Sequence, residues 1–144
     1  MNVVTNGRLY LIDTTAQAHG EDPAVQSLIA GLIVDQAAAT CVTIDLHVGF
    51  SGRNLADVQA IADRRRSLYV TLPINESIAE RARGTQARMA ARGLHRAALA
   101  VNILTAAVAA EHNAVILHYD ADFEHIAATT GQPHLWVAPR GSLD

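Results

Sequence analysis

Short apolar runs alternate with segments of helical periodicity along this chain, and this alternation limits the folds that the chain can adopt. The runs "RLYLI", "ATCVTI" and "AVILHY" lead to Asp13, Asp45 and Asp120. Between the first two lies "EDPAVQSLIAGLIVDQ", where Asp22 is suited to cap a helix and apolar residues recur at i, i+3, i+4 and i+7. Strands that alternate with helices across short connections predict an α/β sandwich around a mostly parallel sheet of about five strands.

The other periodic segments complete this pattern. They predict helices over 55–66, 76–92, 98–112 and 122–131, and short strands within "LYVTLPI" and "HLWVA". The helix over 98–112 should bury Leu99, Ile103, Ala106, Ala107 and Ala110, with Asn102 on or beside the same stripe.

Composition favours one ordinary globular domain. The chain has 144 residues, of which 50% are hydrophobic and 4% aromatic, so the core should be aliphatic. The lone Cys41 should pack in this core. No apolar run approaches the roughly 20 residues of a membrane-spanning helix, and "MNVVTNGRLYLID" does not read as a leader. A cytoplasmic location without membrane contact is therefore expected.

The charges are unevenly distributed along the chain. Residues 64–96 carry eight Arg against two Glu, whereas the remainder carries three Arg against twelve acids. This separation predicts a basic surface beside an acidic site, which suits a polyanion held near bound cations. Solvated helix faces are an equally common cause of such charge runs.

Three aspartates stand at the first polar position after a predicted strand: Asp13, Asp45 and Asp120. Because ligands of open parallel sheets bind beyond the carboxyl ends of the strands, these carboxylates should converge on one edge. Oxygen ligands without a His or Cys cluster favour magnesium or manganese over zinc. Carboxylate-bound cations beside a basic surface suit phosphodiester hydrolysis, and hence a nuclease.

Each polar residue also has a plainer interpretation. Asp13 could cap the turn into "TTA", Asp45 could cap the next helix, and Asp122 is expected to cap "FEHIAATTG". Asn102 could be a core amide satisfied by backbone groups. The histidines are scattered, with His118 read as a packed imidazole and His95 as a surface residue.

The chain resembles the PIN-domain ribonucleases of the VapC toxin type, most closely an actinobacterial group. The resemblance runs through "LIDTTA", "CVTIDLHVGFSGRN", "RARGTQARMAARGLHRA" and "LHYDADFEHIAATTGQPHLWVAPRGS". The last segment is the most specific. The resemblance covers nearly the whole chain and implies a single PIN domain over 1–144, with a PIN-like three-layer α/β/α sandwich.

This family resemblance implies a four-acid site that holds one or two magnesium or manganese ions. It implies cleavage of single-stranded or loop RNA, typically a transfer RNA or a ribosomal RNA loop, together with a VapB antitoxin and homodimerisation. Asp13 matches the first acid and Thr15 the hydroxyl residue near it. Asp45 falls where the family has Glu, so its shorter arm favours water-mediated metal contact. Asp120 matches the fourth acid, and Asp122 is an accessory acid.

Asn102 stands where the family has its third acid. An amide oxygen can ligate a hard cation, but it brings no charge and cannot accept a proton from water. We therefore expect weak activity or none, since loss of a positioned acid–base group costs about 10²-fold to 10⁴-fold in turnover. The residue is either native in a weakened toxin, native in a degenerate copy, or an introduced silencing substitution.

Two other functions remain open on sequence grounds. One is a catalytically inactive PIN-fold module that sequesters antitoxin or RNA. Asn102 and Asp45 favour it, and the intact Asp13 and Asp120 oppose it. The other is an unrelated phosphoryl-transfer enzyme, although no glycine-rich phosphate loop supports it.

The arginine-rich helix and the turn after it are the expected RNA guides. The residues concerned are Arg81, Arg88, Arg92 and Arg96. Solvation of these side chains, or pairing with the antitoxin, is the alternative.

Overall fold

A computed structural model describes residues 7–144. The described strands are β1 (Tyr10–Ile12), β2 (Ala38–Thr40), β3 (Val70–Thr71), β4 (Val115–His118) and β5 (His134–Trp136). The described helices are α1 (Thr14–Gln17), α2 (Pro23–Val34), α3 (Val42–Gly49), α4 (Leu55–Leu68), α5 (Glu76–Ala91), α6 (Ala100–Glu111) and α7 (Ala121–Thr130).

The strands form one parallel sheet in the order β3-β2-β1-β4-β5. In the register, Leu11 of β1 lies beside Ala39 on one side and Ile116 on the other. The strands that follow β1 in sequence, β2 and β3, lie on one side of it, whereas β4 and β5 lie on the other. This reversal of strand order between β1 and β4 is where a crevice forms at the carboxyl ends of the strands. The predicted five-stranded parallel sheet is confirmed.

Alternate residues of the central strands face two separate apolar layers. Leu11 and Ile116 belong to a cluster that includes Ile103 and Phe123 from α6 and α7. Their neighbours in sequence, such as Ile12, belong to a second cluster that includes residues of α2. Because successive strand side chains point to opposite faces, this division puts helices on both sides of the sheet. The three-layer sandwich is therefore confirmed.

The predicted strand over "ATCVTI" is wrong beyond Thr40. Cys41 is extended, and the chain then turns into α3, with the backbone N–H groups of Ile44 and Asp45 both donating to the Cys41 carbonyl. Ile44 is 2% exposed and packs in the core from this helix. Burial of Ile44 outweighs the strand preference of the β-branched run. Asp45 thus lies in the first turn of a helix and does not follow a strand.

Two helix starts also differ from the sequence prediction. Leu99 is the N-cap residue of α6, without a side-chain capping hydrogen bond, and is 65% exposed. It is therefore not part of the buried stripe, which continues instead through Val108 and Ala109. The residue that caps α7 is Asp120, whose side chain accepts from the Asp122 N–H, and not Asp122 itself. The predicted cap of α2 at Asp22 is confirmed.

Helices α5 and α7 end at glycine. Gly93 and Gly131 follow α5 and α7 with φ angles of 71° and 74°, a left-handed conformation that residues with a Cβ adopt at a cost. The buried Cys41 and the exposed His95 match their predictions. Within residues 7–144, no helix is both long and apolar enough to cross a membrane.

Candidate active site at the carboxyl edge of the sheet

Asp13 marks the carboxyl end of β1 and is 5% exposed. Its Oδ2 accepts hydrogen bonds from the Thr15 N–H at 3.1 Å and the Thr15 hydroxyl at 2.6 Å, which makes it the cap of α1. The same hydroxyl accepts from the Tyr119 N–H at 2.9 Å. Thr15 therefore ties the acid at the end of β1 to the chain that leaves β4.

The electrostatic surroundings of Asp13 oppose its ionisation. Burial raises the pKa of Asp13 above its usual range, and the nearby negative charge of Asp120 raises it further, against the lowering effect of the Thr15 hydrogen bonds. A carboxylate in this position would be stabilised by a cation.

Asp120 follows β4, the strand that pairs with β1, and is the N-cap residue of α7. Its Oδ1 accepts from the Asp122 N–H at 2.9 Å, and its own N–H donates to Nδ1 of His118 at 3.1 Å. The end of β4 and the first turn of α7 thus fix this carboxylate beside Asp13.

Asn102, in the first turn of α6, forms hydrogen bonds with Asp120 and Asp122 at the start of α7. Its side-chain amide donates to Oδ2 of Asp122 at 2.8 Å and to Oδ2 of Asp120 at 3.3 Å. Asp122 also accepts from the Leu99 N–H at 2.9 Å. We call Asp13, Asn102, Asp120 and Asp122 the acidic cluster. Asn102 is 9% exposed, so it is a core amide as expected, but the recorded acceptors of its side-chain amide are carboxylates and not the backbone groups that the sequence suggested.

Next to the acidic cluster lies a pair of histidines, one buried and one half-buried, that was not predicted from the sequence. His118 is fully buried, and its Nε2 lies 2.9 Å from Nδ1 of His134 on β5. Burial and, to a smaller extent, the neighbouring His134 lower the pKa of His118 to about 3, so the imidazole is neutral near pH 7. His134 on β5 is paired with Ile116, two residues before His118 on β4, so both imidazoles lie on the same face of neighbouring strands. The contact therefore depends on the pairing of β4 with β5.

Asp45 lies apart from this hydrogen-bonded arrangement. Its Oδ1 accepts from the Thr40 hydroxyl at 2.7 Å and from Nε of Arg65 at 3.0 Å. Arg65 is 7% exposed and also donates to Oε1 of Gln17 at 2.7 Å. The buried cation was missed because its neighbours Arg64 and Arg66 are exposed, and the sequence of α4 gives no sign that one of the three points inward.

The donor chemistry of the acidic cluster fits a hard divalent cation, since carboxylate and amide oxygens are the ligands that magnesium prefers. However, no group of three or more His, Cys, Asp or Glu side chains among residues 7–144 is arranged to hold a metal ion. The acidic cluster has three carboxylates and one neutral amide, so its negative charge is one unit lower than that of four carboxylates. The residues thus fit the ion in donor type and fall short in charge.

The expected RNA guides are on the surface, and three of them have partners within the chain. Arg81 pairs with Glu111 at 2.9 Å, Arg88 donates to the Thr129 carbonyl at 2.6 Å, and Arg92 donates to the Thr129 hydroxyl at 2.8 Å. Arg96 is exposed on the turn before α6. Their role in RNA binding stays a prediction.

Helices α3 and α4 expose an apolar surface beside Asp45. Leu46, Phe50, Leu55 and Val58 are 71%, 88%, 70% and 40% exposed. A cavity of about 280 Å³ opens between the same two helices and has Asp45 in its lining. We call these four residues the α3–α4 apolar surface. Exposed apolar patches on soluble proteins are often protein interaction sites.

The chain is similar in sequence to three mycobacterial ribonucleases. It is 38% identical to Ribonuclease VapC51 of Mycobacterium tuberculosis over 135 residues, which are 94% of this chain and 97% of the relative. Identity to Ribonuclease VapC21 is 35% over 92% of the chain and 96% of the relative, and to Ribonuclease VapC18 it is 33% over 94% and 99%. No protein-family model matches.

The fold is similar to that of solved toxin complexes at low identity. The crystal structure of DNA-bound VapBC from Salmonella typhimurium matches with a TM-score of 0.74 at 12% identity, over 91% of this chain and 99% of that one. VapBC2 from Rickettsia felis, bound to a promoter DNA fragment, matches with a TM-score of 0.72 at 12% identity, over 89% and 98%. The PIN-like fold expected from the resemblance is confirmed. By its sequence similarity over nearly its full length, the chain belongs to the VapC ribonuclease family.

Proposed function

We propose that this chain is the toxin of a type II toxin–antitoxin system, and that it is an endoribonuclease weakened by Asn102. The observation that carries the proposal is the acidic cluster, in which Asp13 and Asp120 meet at the carboxyl ends of two adjacent strands. Mycobacterial relatives that cover nearly the whole chain are named ribonucleases. The proposed substrate is structured RNA, such as a transfer RNA or a ribosomal RNA loop.

Magnesium, or manganese in its place, is the proposed cofactor. The carboxylates of Asp13, Asp120 and Asp122 and the amide oxygen of Asn102 would hold it, and its bound form would lower the pKa of water and neutralise charge on phosphate. The raised pKa of Asp13 supports this assignment, because a buried carboxylate beside a second acid gains from a cation.

The chain's own residues orient the acids and receive protons. Thr15 fixes the Asp13 carboxylate by two hydrogen bonds, and the cap of α7 fixes Asp120. Both carboxylates can accept a proton from a water that attacks a phosphodiester. Asn102 cannot, and its amide hydrogens hold the oxygens of Asp120 and Asp122. We therefore expect a low rate in the unmodified chain.

Asp45 enters the proposal as an outer acid. Its carboxylate is shared with Arg65 and Thr40, and its arm is one methylene shorter than the Glu expected at this position. A contact through water fits this placement. Arg81, Arg88, Arg92 and Arg96 are proposed to guide RNA, which predicts that RNA binding falls steeply with added salt. A flat salt dependence would remove that role.

The proposed partners are a VapB-type antitoxin and a second copy of the chain, in the cytoplasm. Structures of similar fold are VapBC complexes, and the α3–α4 apolar surface offers an unpartnered apolar area for an antitoxin segment. The acidic cluster would attract a basic side chain from such a segment. Co-expression with the adjacent upstream reading frame should yield a stable complex, and its failure to do so would argue against this partner.

A non-catalytic binding module is the second candidate function. Asn102 favours it, because its amide satisfies Asp120 and Asp122 without any ion. Such a module would keep the fold and sequester antitoxin or RNA.

Mapping of RNA 5′ ends separates these functions. Total RNA is incubated with magnesium and with the unmodified chain, with Asn102→Asp, or with Asn102→Asp combined with Asp120→Asn. We expect defined new ends with Asn102→Asp, few or none with the unmodified chain, and none with the double variant or after chelation. No cleavage by any of the proteins would contradict the ribonuclease proposal and favour the binding module.

A further inference from the structure

We propose that His118 is a positioning residue that holds the main chain at Asp120 through Nδ1, and that His134 fixes the tautomer of His118. This inference rests on the proposed function, because it assigns His118 a role toward one acid of the ribonuclease site.

The ring of His118 is held on several sides. It is the last residue of β4, is 0% exposed, and packs against Phe123 and Trp136 with ring centroids 5.2 and 4.9 Å away. Its stacked neighbour is His134, with centroids 5.1 Å apart. A side chain packed on these sides leaves its two nitrogens pointing in fixed directions.

The two hydrogen bonds of the ring determine where its proton resides. A backbone N–H can only donate, so Nδ1 of His118 accepts from the Asp120 N–H at 3.1 Å and carries no proton. The proton of the neutral ring must then be on Nε2, which donates to Nδ1 of His134 at 2.9 Å. His134 in turn carries its proton on Nε2. The pair thus forms a directed chain that ends at the backbone of Asp120.

This chain acts on the turn that presents the acid. The backbone N–H groups of Tyr119 and Asp120, directly after β4, each donate to a side chain. The Tyr119 N–H donates to the Thr15 hydroxyl, which also donates to Asp13, and the Asp120 N–H donates to His118. The turn is therefore fixed from the β1 side and from the β5 side. Because active-site supports of this kind typically change activity by about 10-fold to 100-fold, loss of the His118 contact should be measurable.

The first test needs no substitution. Long-range proton–nitrogen correlation spectra of the unmodified chain near pH 7 report which imidazole nitrogen carries the proton. The proposal predicts the Nε2–H tautomer for both His118 and His134. An Nδ1–H tautomer at His118 would overturn it, because the Asp120 N–H would then face a donor.

The second test compares two substitutions of similar polarity in the Asn102→Asp background. His118→Asn places an oxygen where Nδ1 stands, whereas His118→Gln places its polar atoms where Nε2 stands. We expect His118→Asn to keep kcat within several-fold, and His118→Gln to lower kcat by about 10-fold to 100-fold with KM nearly unchanged. The exposed His125 is the control, and His125→Gln should leave both constants unchanged.

Equal kcat values for the Asn and Gln variants would show that His118 only fills space. Hydrogen exchange at the Asp120 amide gives a readout that does not need activity: exchange should be faster in His118→Gln than in His118→Asn, and equal rates would contradict the proposal. If Asn102→Asp cleaves no RNA, the proposed function fails, while the tautomer and the amide exchange still decide the role of His118.

Discussion

A neutral amide between two carboxylates stabilises the acidic cluster in the absence of an ion. Asn102 donates to both Asp120 and Asp122, and the negative charge of Asp120 contributes to the raised pKa of Asp13. An aspartate at position 102 would add a further negative charge among these acids. The same residue that weakens the proposed chemistry therefore stabilises the ion-free fold.

The Asn102→Asp variant should accordingly unfold at a lower temperature than the unmodified chain when no divalent ion is present. Magnesium should raise the unfolding temperature of Asn102→Asp more than that of the unmodified chain. The reason is that the variant should bind the ion more tightly, and a ligand stabilises the folded state in proportion to its affinity. Thermal unfolding with and without magnesium measures this. Gln86→Glu adds a charge at an exposed site of α5 and should show no magnesium response beyond that of the unmodified chain. Equal magnesium responses for positions 102 and 86 would contradict the site assignment.

The ion pair of Asp45 and Arg65 should contribute to stability because the guanidinium is nearly buried. Asp45→Asn removes the charge that faces it, and we expect the free energy of unfolding to fall by about 1–3 kcal/mol. Asp63→Asn is a matched control, since Asp63 and Arg66 form an ion pair with both side chains exposed, and it should change stability by less than about 1 kcal/mol. Urea unfolding compares the two, and equal effects would argue against a stabilising role for Arg65.

The buried His118 should make stability depend on pH. An unfolded histidine has a pKa near 6.5, whereas the pKa of His118 in the folded chain is about 3. Between these values the unfolded chain binds a proton that the folded chain does not, so this residue lowers the free energy of unfolding as pH falls below about 6.5. The slope should approach about 1.4 kcal/mol per pH unit. Urea unfolding from pH 7 to pH 4 should show a shallower fall for His118→Asn, and parallel curves would contradict the assignment.

At the scale of elements, sequence patterns predicted those helices whose caps and apolar stripes are local. The start of α2 is an example, because Asp22 accepts from the N–H groups of Ala24 and Val25. The start of α3 was not predictable in this way. Its β-branched residues favour a strand, and the helix forms because Ile44 then reaches the core.

The helix caps Asp22 and Asp120 should contribute similarly to stability, but only Asp120 should be needed for RNA cleavage. Asp22→Ala and Asp120→Ala each remove a helix cap and should each lower the free energy of unfolding by about 0.5–2 kcal/mol. Only Asp120→Ala should abolish RNA cleavage in the Asn102→Asp background, since Asp22 lies outside the acidic cluster. Urea unfolding and the cleavage assay, run on both variants, measure this difference. If Asp22→Ala were fully folded under the assay conditions and still failed to cleave RNA, this prediction would be contradicted.

At the scale of the whole molecule, the sequence predicted the parallel sheet and the edge that gathers the acids. It did not predict which side chains pair across that edge. Arg65 reaches Asp45 across 20 positions of the chain, and His118 reaches His134 across 16. Such pairs depend on helix rotation and strand order, which local periodicity does not determine. The three-dimensional structure therefore changed the role assigned to Asp45 and revealed the histidine pair.

The α3–α4 apolar surface should bind the proposed antitoxin. Phe50→Ser removes its most exposed aromatic side chain and should weaken the complex by at least about 10-fold, with stability nearly unchanged because the ring is 88% exposed. Val34→Ser, at an 80% exposed site on α2, is the control and should bind normally. Affinity measurements with the co-expressed partner test this, and equal affinities for the two variants would exclude this surface.

The central claim is that the acidic cluster is a ribonuclease site whose rate is set by residue 102. Single-turnover cleavage of an RNA at a mapped position should be measured for the unmodified chain, for Asn102→Asp, and for Asn102→Asp combined with Asp13→Asn. Our account predicts a rise of at least about 10²-fold for Asn102→Asp and its loss in the double variant. Equal rates for the first two proteins, or cleavage that persists without Asp13, would contradict the account.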